Sequence, residues 1–144
     1  MKTTIFLSLS LLFSLFAHSQ DIPSTQVPPA VIKSFNRYFP NTPKVEWEKK
    51  GNQYEAEFDI KRTDHKALFE SNGKLIVYKR DIHNGQLPAA IKHTIKQQYP
   101  NYKIDDAERI ARNGHVYYQV ALKGPDTIKL VFTPEGKQDK SQGY

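Results

Sequence analysis

The sequence predicts an α+β fold: a tandem duplication of a unit made of one helix followed by three or four antiparallel strands. The two units would share one continuous antiparallel sheet, with both helices on one face. Three observations predict this. Val27-Pro28-Pro29-Ala30-Val31 recurs as Leu87-Pro88-Ala89-Ala90-Ile91, and Phe39-Pro40-Asn41 as Tyr99-Pro100-Asn101, each pair 60 residues apart. Gly51, Tyr54, Phe69 and Gly73 then match Gly114, Tyr117, Phe132 and Gly136 at a spacing of 63. Within each copy, a stretch of helical spacing gives way to stretches of strict alternation separated by short turns.

The elements follow in order. Val27, Val31, Phe35 and Phe39 recur every fourth residue, the spacing of one helical face. Pro28 fits the first helical position, where its missing N–H costs nothing, and Pro40 stops the helix. Leu87, Ile91, Ile95 and Tyr99 repeat the pattern between Pro88 and Pro100. Each helix has about three turns and needs a partner surface to be stable. Val45-Glu46-Trp47-Glu48, Tyr54 to Ile60, Ala67 to Glu70 and Leu75 to Tyr78 read as strands of the first unit. Ile104 to Ile110, Val116 to Leu122 and Ile128 to Phe132 are those of the second. Lys50-Gly51-Asn52, Ser71-Asn72-Gly73, Asn113-Gly114 and Pro134-Glu135-Gly136 supply turn chemistry, so the strands form a meander rather than crossovers. The tail, Lys137 to Tyr144, is polar and is expected to fray.

Composition excludes several classes. The 144 residues hold no cysteine, which removes disulfide scaffolds, thiolate nucleophiles and cysteine zinc sites. Residues 1–19 have the layout of a secretory signal peptide: a basic start at Lys2, an apolar run from Ile5 to Phe16, and Ala17-His18-Ser19 before the cleavage point. The apolar run is shorter than the roughly 18 residues a membrane span needs. The boundaries therefore read as 1–19 leader, 20–83 first repeat and 84–144 second repeat, the two repeats forming one globular domain that is periplasmic or secreted. Loss of Lys2 leaves 20 basic residues against 15 acidic ones. The cations are scattered, which with export argues against a nucleic-acid partner.

No catalytic signature is present. His65, His83, His93 and His115 lie in no nucleophile motif, and Asp64-His65 reads as a solvated strand edge or turn. His93 has no second ligand a turn away, and Asp105-Asp106 with Glu108 lacks a calcium loop, so no metal or cofactor is expected. The informative feature is a stripe. If Val45, Trp47, Tyr54, Ala56, Phe58 and Ile60 face the helices, Glu46, Glu48, Glu55, Glu57 and Asp59 share the other face. Like charges across a hairpin destabilise it, and Lys66 and Lys74 are the expected compensating cations. In the second unit, Tyr117 and Gln119 would point outward beside Ala121.

The helix ended by aromatic-Pro-Asn, together with Val45-Glu46-Trp47-Glu48, Gly51, Tyr54 to Phe58 and Asn72-Gly73-Lys74, resembles the PepSY-like family of exported bacterial proteins. That family is also described as β-lactamase-inhibitor-like, and the resemblance covers both copies. It implies a β-lactamase-inhibitor-protein-like assembly of αβββ-type units, periplasmic and without a known reaction. The expected function is a non-enzymatic module that binds a protein or peptide of the cell envelope through its open sheet face, with an inhibitory or regulatory outcome. The alternative is a small-ligand or metal-handling protein using the seam between helix and sheet.

Overall fold

The computed structural model describes residues 19–140. The predicted leader lies outside the described residues except for Ser19, which opens a strand. The order is β1 (Ser19–Ile22), α1 (Pro29–Tyr38), β2 (Val45–Lys50), β3 (Gln53–Ile60), β4 (Thr63–Glu70) and β5 (Leu75–Asp81). It continues with α2 (Ala89–Gln98), β6 (Lys103–Arg112), β7 (His115–Lys123) and β8 (Thr127–Phe132). A 3-10 turn precedes each helix, at Ser24–Gln26 and Asn84–Gln86. All eight strands form one sheet in chain order, every neighbour antiparallel. β5 and β6 join the two repeats through Val77 to Asp81 and Glu108 to Arg112. No helix among the described residues is long and apolar enough to cross a membrane.

Both helices lie on the same face. Val31 and Phe35 of α1 pack on Trp47, Ala56, Ala67, Phe58 and Phe69, and Ile91 and Ile95 of α2 pack on Ala107, Val120, Leu122 and Phe132. The register carries one side of the sheet from Ala67 through Tyr78 to Ala111, and hence to Ala107 two positions apart twice over. Pro28 and Pro88 are the N-caps rather than the first helical residues; Pro29 and Ala89 open the two helices. The same device fixes each helix to the sheet. Gly73, at φ 88°, lies so close to α1 that a Cβ there would sit 2.5 Å from the Ala30 carbonyl oxygen. Gly136, at φ 83°, would meet the Ala90 oxygen at 2.7 Å, and the Thr94 hydroxyl donates to its carbonyl at 3.0 Å.

Four further details of the fold differ from the sequence reading. β1 was not expected; it pairs residues 19–22 with β2. β4 begins at Thr63, because Lys61 and Arg62 form a tight turn at φ 53° and 64° without glycine or asparagine. The tail does not fray at once: Phe132 bridges Gln138, and the Asp139 N–H donates to the Val131 carbonyl. Finally, Tyr54 packs against the α1 core, opposite Phe69, whereas Tyr117 lies opposite Ile110 on the other face. The counterpart of Tyr54 is Tyr118, which packs on the α2 core. An offset of 63 pairs Tyr54 with the wrong tyrosine, because the β6–β7 hairpin extends further than β2–β3.

Candidate functional site

No element among the described residues covers the second face of the sheet, and the five predicted carboxylates stand on it. Glu46 is opposite Glu57, and Glu48 is opposite Glu55. Asp21 of β1 joins them across from Glu48. The oxygens of Glu48, Glu55 and Glu57 lie within 4.8 Å of one another. Such pairing is repulsive unless cations intervene, and two do. Lys50 bridges Glu48 at 3.4 Å and hydrogen-bonds to Glu55, and Lys66 reaches Glu57 at 2.5 Å. Burial works to lower both lysine pKa values, but the carboxylate partners outweigh it and hold both above the ordinary range. Lys74, expected to help, instead pairs with Glu70 at 3.7 Å. Lys50 was the missed compensator. Its two-residue spacing from Glu48 was the available signal.

Asp59 belongs to a different row. It is opposite Asp64, the pairing of His65 with Arg80 sets Asp64 beside Asp81, and Asp81 is opposite Glu108. Four carboxylates thus cross β3, β4, β5 and β6 in line. The row ends at Gln119, whose Nε2 donates to Glu108 at 2.8 Å. None of the four takes part in a salt bridge among the described residues. Burial, then Asp106, Glu108 and Asp64, push the Asp81 carboxyl up, opposed by Lys66. The sequence hid this row because its members come from four strands.

Beside the row runs an apolar spine that belongs to neither helix core. Val77, Ile110 and Val131 are buried (9%, 0% and 7% exposed) although they face the open side. Ile110 lies between Lys79 and Tyr117, and Val131 is opposite Gln119. With no helix on this side among the described residues, side chains of the sheet itself cover Ile110. A shallow hollow of about 270 Å³ opens between spine and stripe, bounded by Glu55, Lys66, Leu68, Val77, Lys79 and Arg112. The predicted Tyr117 and Gln119 therefore sit with the spine and the acidic row, away from the Glu48–Glu55 pairs.

His65 is not a solvated residue. It is 7% exposed, turned to the helix side, and stacked between Phe58 and Tyr78 at centroid distances of 5.5 and 5.7 Å. Its Nδ1 and the Tyr78 hydroxyl are 2.7 Å apart. Burial, and then the Arg80 charge, lower its pKa; burial raises that of Tyr78. Counting back in twos from Phe69 through Ala67 reaches His65, which was the available signal for a buried position. His83 instead closes a capping box with Gln86.

Comparisons with known proteins agree with this fold. The profile of the family described as "Putative beta-lactamase-inhibitor-like, PepSY-like" matches residues 15–77 and 65–139. A search of curated proteins gave no significant match. Among solved structures, a "putative periplasmic" protein of Bacteroides eggerthii has a TM-score of 0.74 at 16% identity, over 81% of this chain and 88% of that one. A DUF2874 family protein of Bacteroides uniformis has a TM-score of 0.73 at 17% identity, covering 78% and 86%. A BLIP-like protein of Bacteroides fragilis has a TM-score of 0.67 at 20% identity, covering 85% and 90%. At these identities the structures speak for the fold alone. Two profile matches that together span the described sheet settle the family: this chain belongs to the PepSY-like, beta-lactamase-inhibitor-like proteins.

Proposed function

We propose that the protein is a non-enzymatic binding module of the bacterial envelope whose open sheet face docks a basic patch of a protein or peptide. The observation that carries this reading is the row Asp59, Asp64, Asp81, Glu108, four carboxylates in line without salt-bridge partners among the described residues. Holding like charges together costs stability, and a cationic partner would relieve it while the half-buried Leu68 and Tyr117 of the same face supplied apolar contact. Glu46, Glu48, Glu55, Glu57 and Asp59 would set the charge of the surface, with Tyr117 and Gln119 as contact residues. Inhibition or regulation of the partner is the finer form of the reading, supported by the family description. Export is supported by the leader-like residues 1–19 and by the periplasmic description of one structural neighbour. In this reading the mature chain starts at Gln20, and its repeats, 20–83 and 84–144, act as one domain.

A photocrosslinker placed at Gln119, and separately at the exposed Lys33 on α1, tests the reading in envelope extract. A discrete adduct from Gln119 alone, lost on Asp81→Lys with Glu108→Lys, is the expected result. Equal labelling from both positions, or an adduct indifferent to the charge reversal, would refute it.

A further inference from the structure

The seam between α2 and β6 sets lysines beside an apolar surface. A shallow, open cleft of about 550 Å³ lies there. Its cationic rim is Lys92 and Lys96, Lys103 lines its β6 end, and its apolar wall is Tyr99, Tyr102 and Ile104, with the buried Ile95 beneath. Lys92 and Lys96 are one helical turn apart and so share a side of α2. No carboxylate lines the cleft, and none of the three lysines has a salt-bridge partner among the described residues. On the open face, by contrast, Lys50 and Lys66 are both paired.

The two tyrosines are held for such a wall. The Tyr99 hydroxyl donates to Gln138 at 3.1 Å, the Tyr102 hydroxyl donates to Asp126, and the rings meet edge to face at 6.2 Å. The nearby Asp126 is thereby engaged. The first repeat has no such rim. Sixty residues upstream, Lys92 corresponds to Ile32, half-buried against the first core, Lys96 to Asn36, and Tyr99 to Phe39. The ammonium groups of Lys92 and Lys96, one turn apart beside this apolar wall, set up a positive potential that nothing in the fold uses.

We propose that this cleft binds a small organic anion. An aromatic or short aliphatic body would lie on Tyr99, Tyr102 and Ile104, and a carboxylate or phosphate would be held by Lys92 and Lys96. This site is separate from the open face and does not depend on the docking reading.

Phenyl phosphate and benzoate, titrated into nitrogen-labelled protein and followed by amide chemical shifts, test it. Saturable shifts confined to the neighbourhood of residues 84–104 are expected below about 5 mM. Lys92→Gln with Lys96→Gln should weaken binding about tenfold or more at unchanged Tm. Asp81→Lys with Glu108→Lys should leave it intact. Which of the two probes binds more tightly assigns the oxyanion. Inorganic phosphate binding as tightly as phenyl phosphate would overturn the proposal, since the wall would then contribute nothing. Saturation by neutral benzyl alcohol, shifts on the open face, or no saturation with either anion would overturn it as well.

Discussion

The two repeats build one architecture from different side chains. In the first, Phe35 sits among Phe39, Trp47, Phe58 and Phe69 at centroid distances of 5.0 to 6.5 Å. In the second, Ile95 holds the place of Phe35 and Ala107 that of Trp47, and the core is largely aliphatic around Phe132. What both keep is the alternation, the helix stripe and the glycine set against the first turn of the helix. Volume and pattern therefore define this unit, and residue identity within the core is negotiable. Charge on the outer surfaces is where the copies part.

The largest test of that comparison is a pair of truncations. Phe35→Ala should cost about 4 kcal/mol and Ile95→Ala about 3 kcal/mol in urea unfolding, since the aromatic leaves the larger cavity. Equal losses would mean that the second core collapses less well than its smaller side chains suggest. Next come the glycines. Gly73→Ala and Gly136→Ala should each cost about 2 kcal/mol or more, because each combines a left-handed φ with a backbone contact that has nowhere to move. A loss at one repeat only would break the equivalence of the two locks.

His65 gives a smaller and pH-dependent effect. Its pairing with Phe58 matches that of Ile128 with Leu122, so the second repeat has an isoleucine where the first has an imidazole. The lowered folded pKa means that its contribution is present above the unfolded value of about 6.5 and is lost as pH falls through the folded one. Arg80 adds to that lowering, and Asp59 and Asp64 oppose it. His65→Ile should flatten the fall of Tm as pH drops below about 6.5. An unchanged profile would assign the acid sensitivity elsewhere. The smallest effect is on the open face: Asp81→Asn should stabilise the protein by a fraction of about 1 kcal/mol at neutral pH. The raised carboxyl pKa there means that ionisation works against folding as pH rises. Destabilisation would indicate a favourable role for that charge.

Local pattern carried most of the architecture into view. The fourfold spacing from Val27 to Phe39 gives α1, and Tyr54 to Ile60 gives a strand whose two faces read correctly. Period-two counting failed at the irregularities. A register shift between Ile104 and Asp106 puts Ile104 on the α2 side and Ile110 on the open side, so two isoleucines of one strand serve opposite faces. A second shift between Leu68 and Phe69 does the same for Leu75 and Val77. The Lys61-Arg62 turn carried no glycine to announce it, which hid the start of β4 and with it the burial of His65. The acidic row depends on pairing across four strands, a relation no single segment contains.

The order of strands in the sheet has a kinetic meaning. Because β1 to β8 lie side by side in the order of the chain, each strand after the first can dock on one already made. Nothing early must wait for a partner from the far end, so loop-closure entropy is met in small instalments. A chain delivered N-terminus first, from a ribosome or through a membrane pore, could extend its sheet at one growing edge as it arrives, with β8 and its folded-back tail closing the last strand.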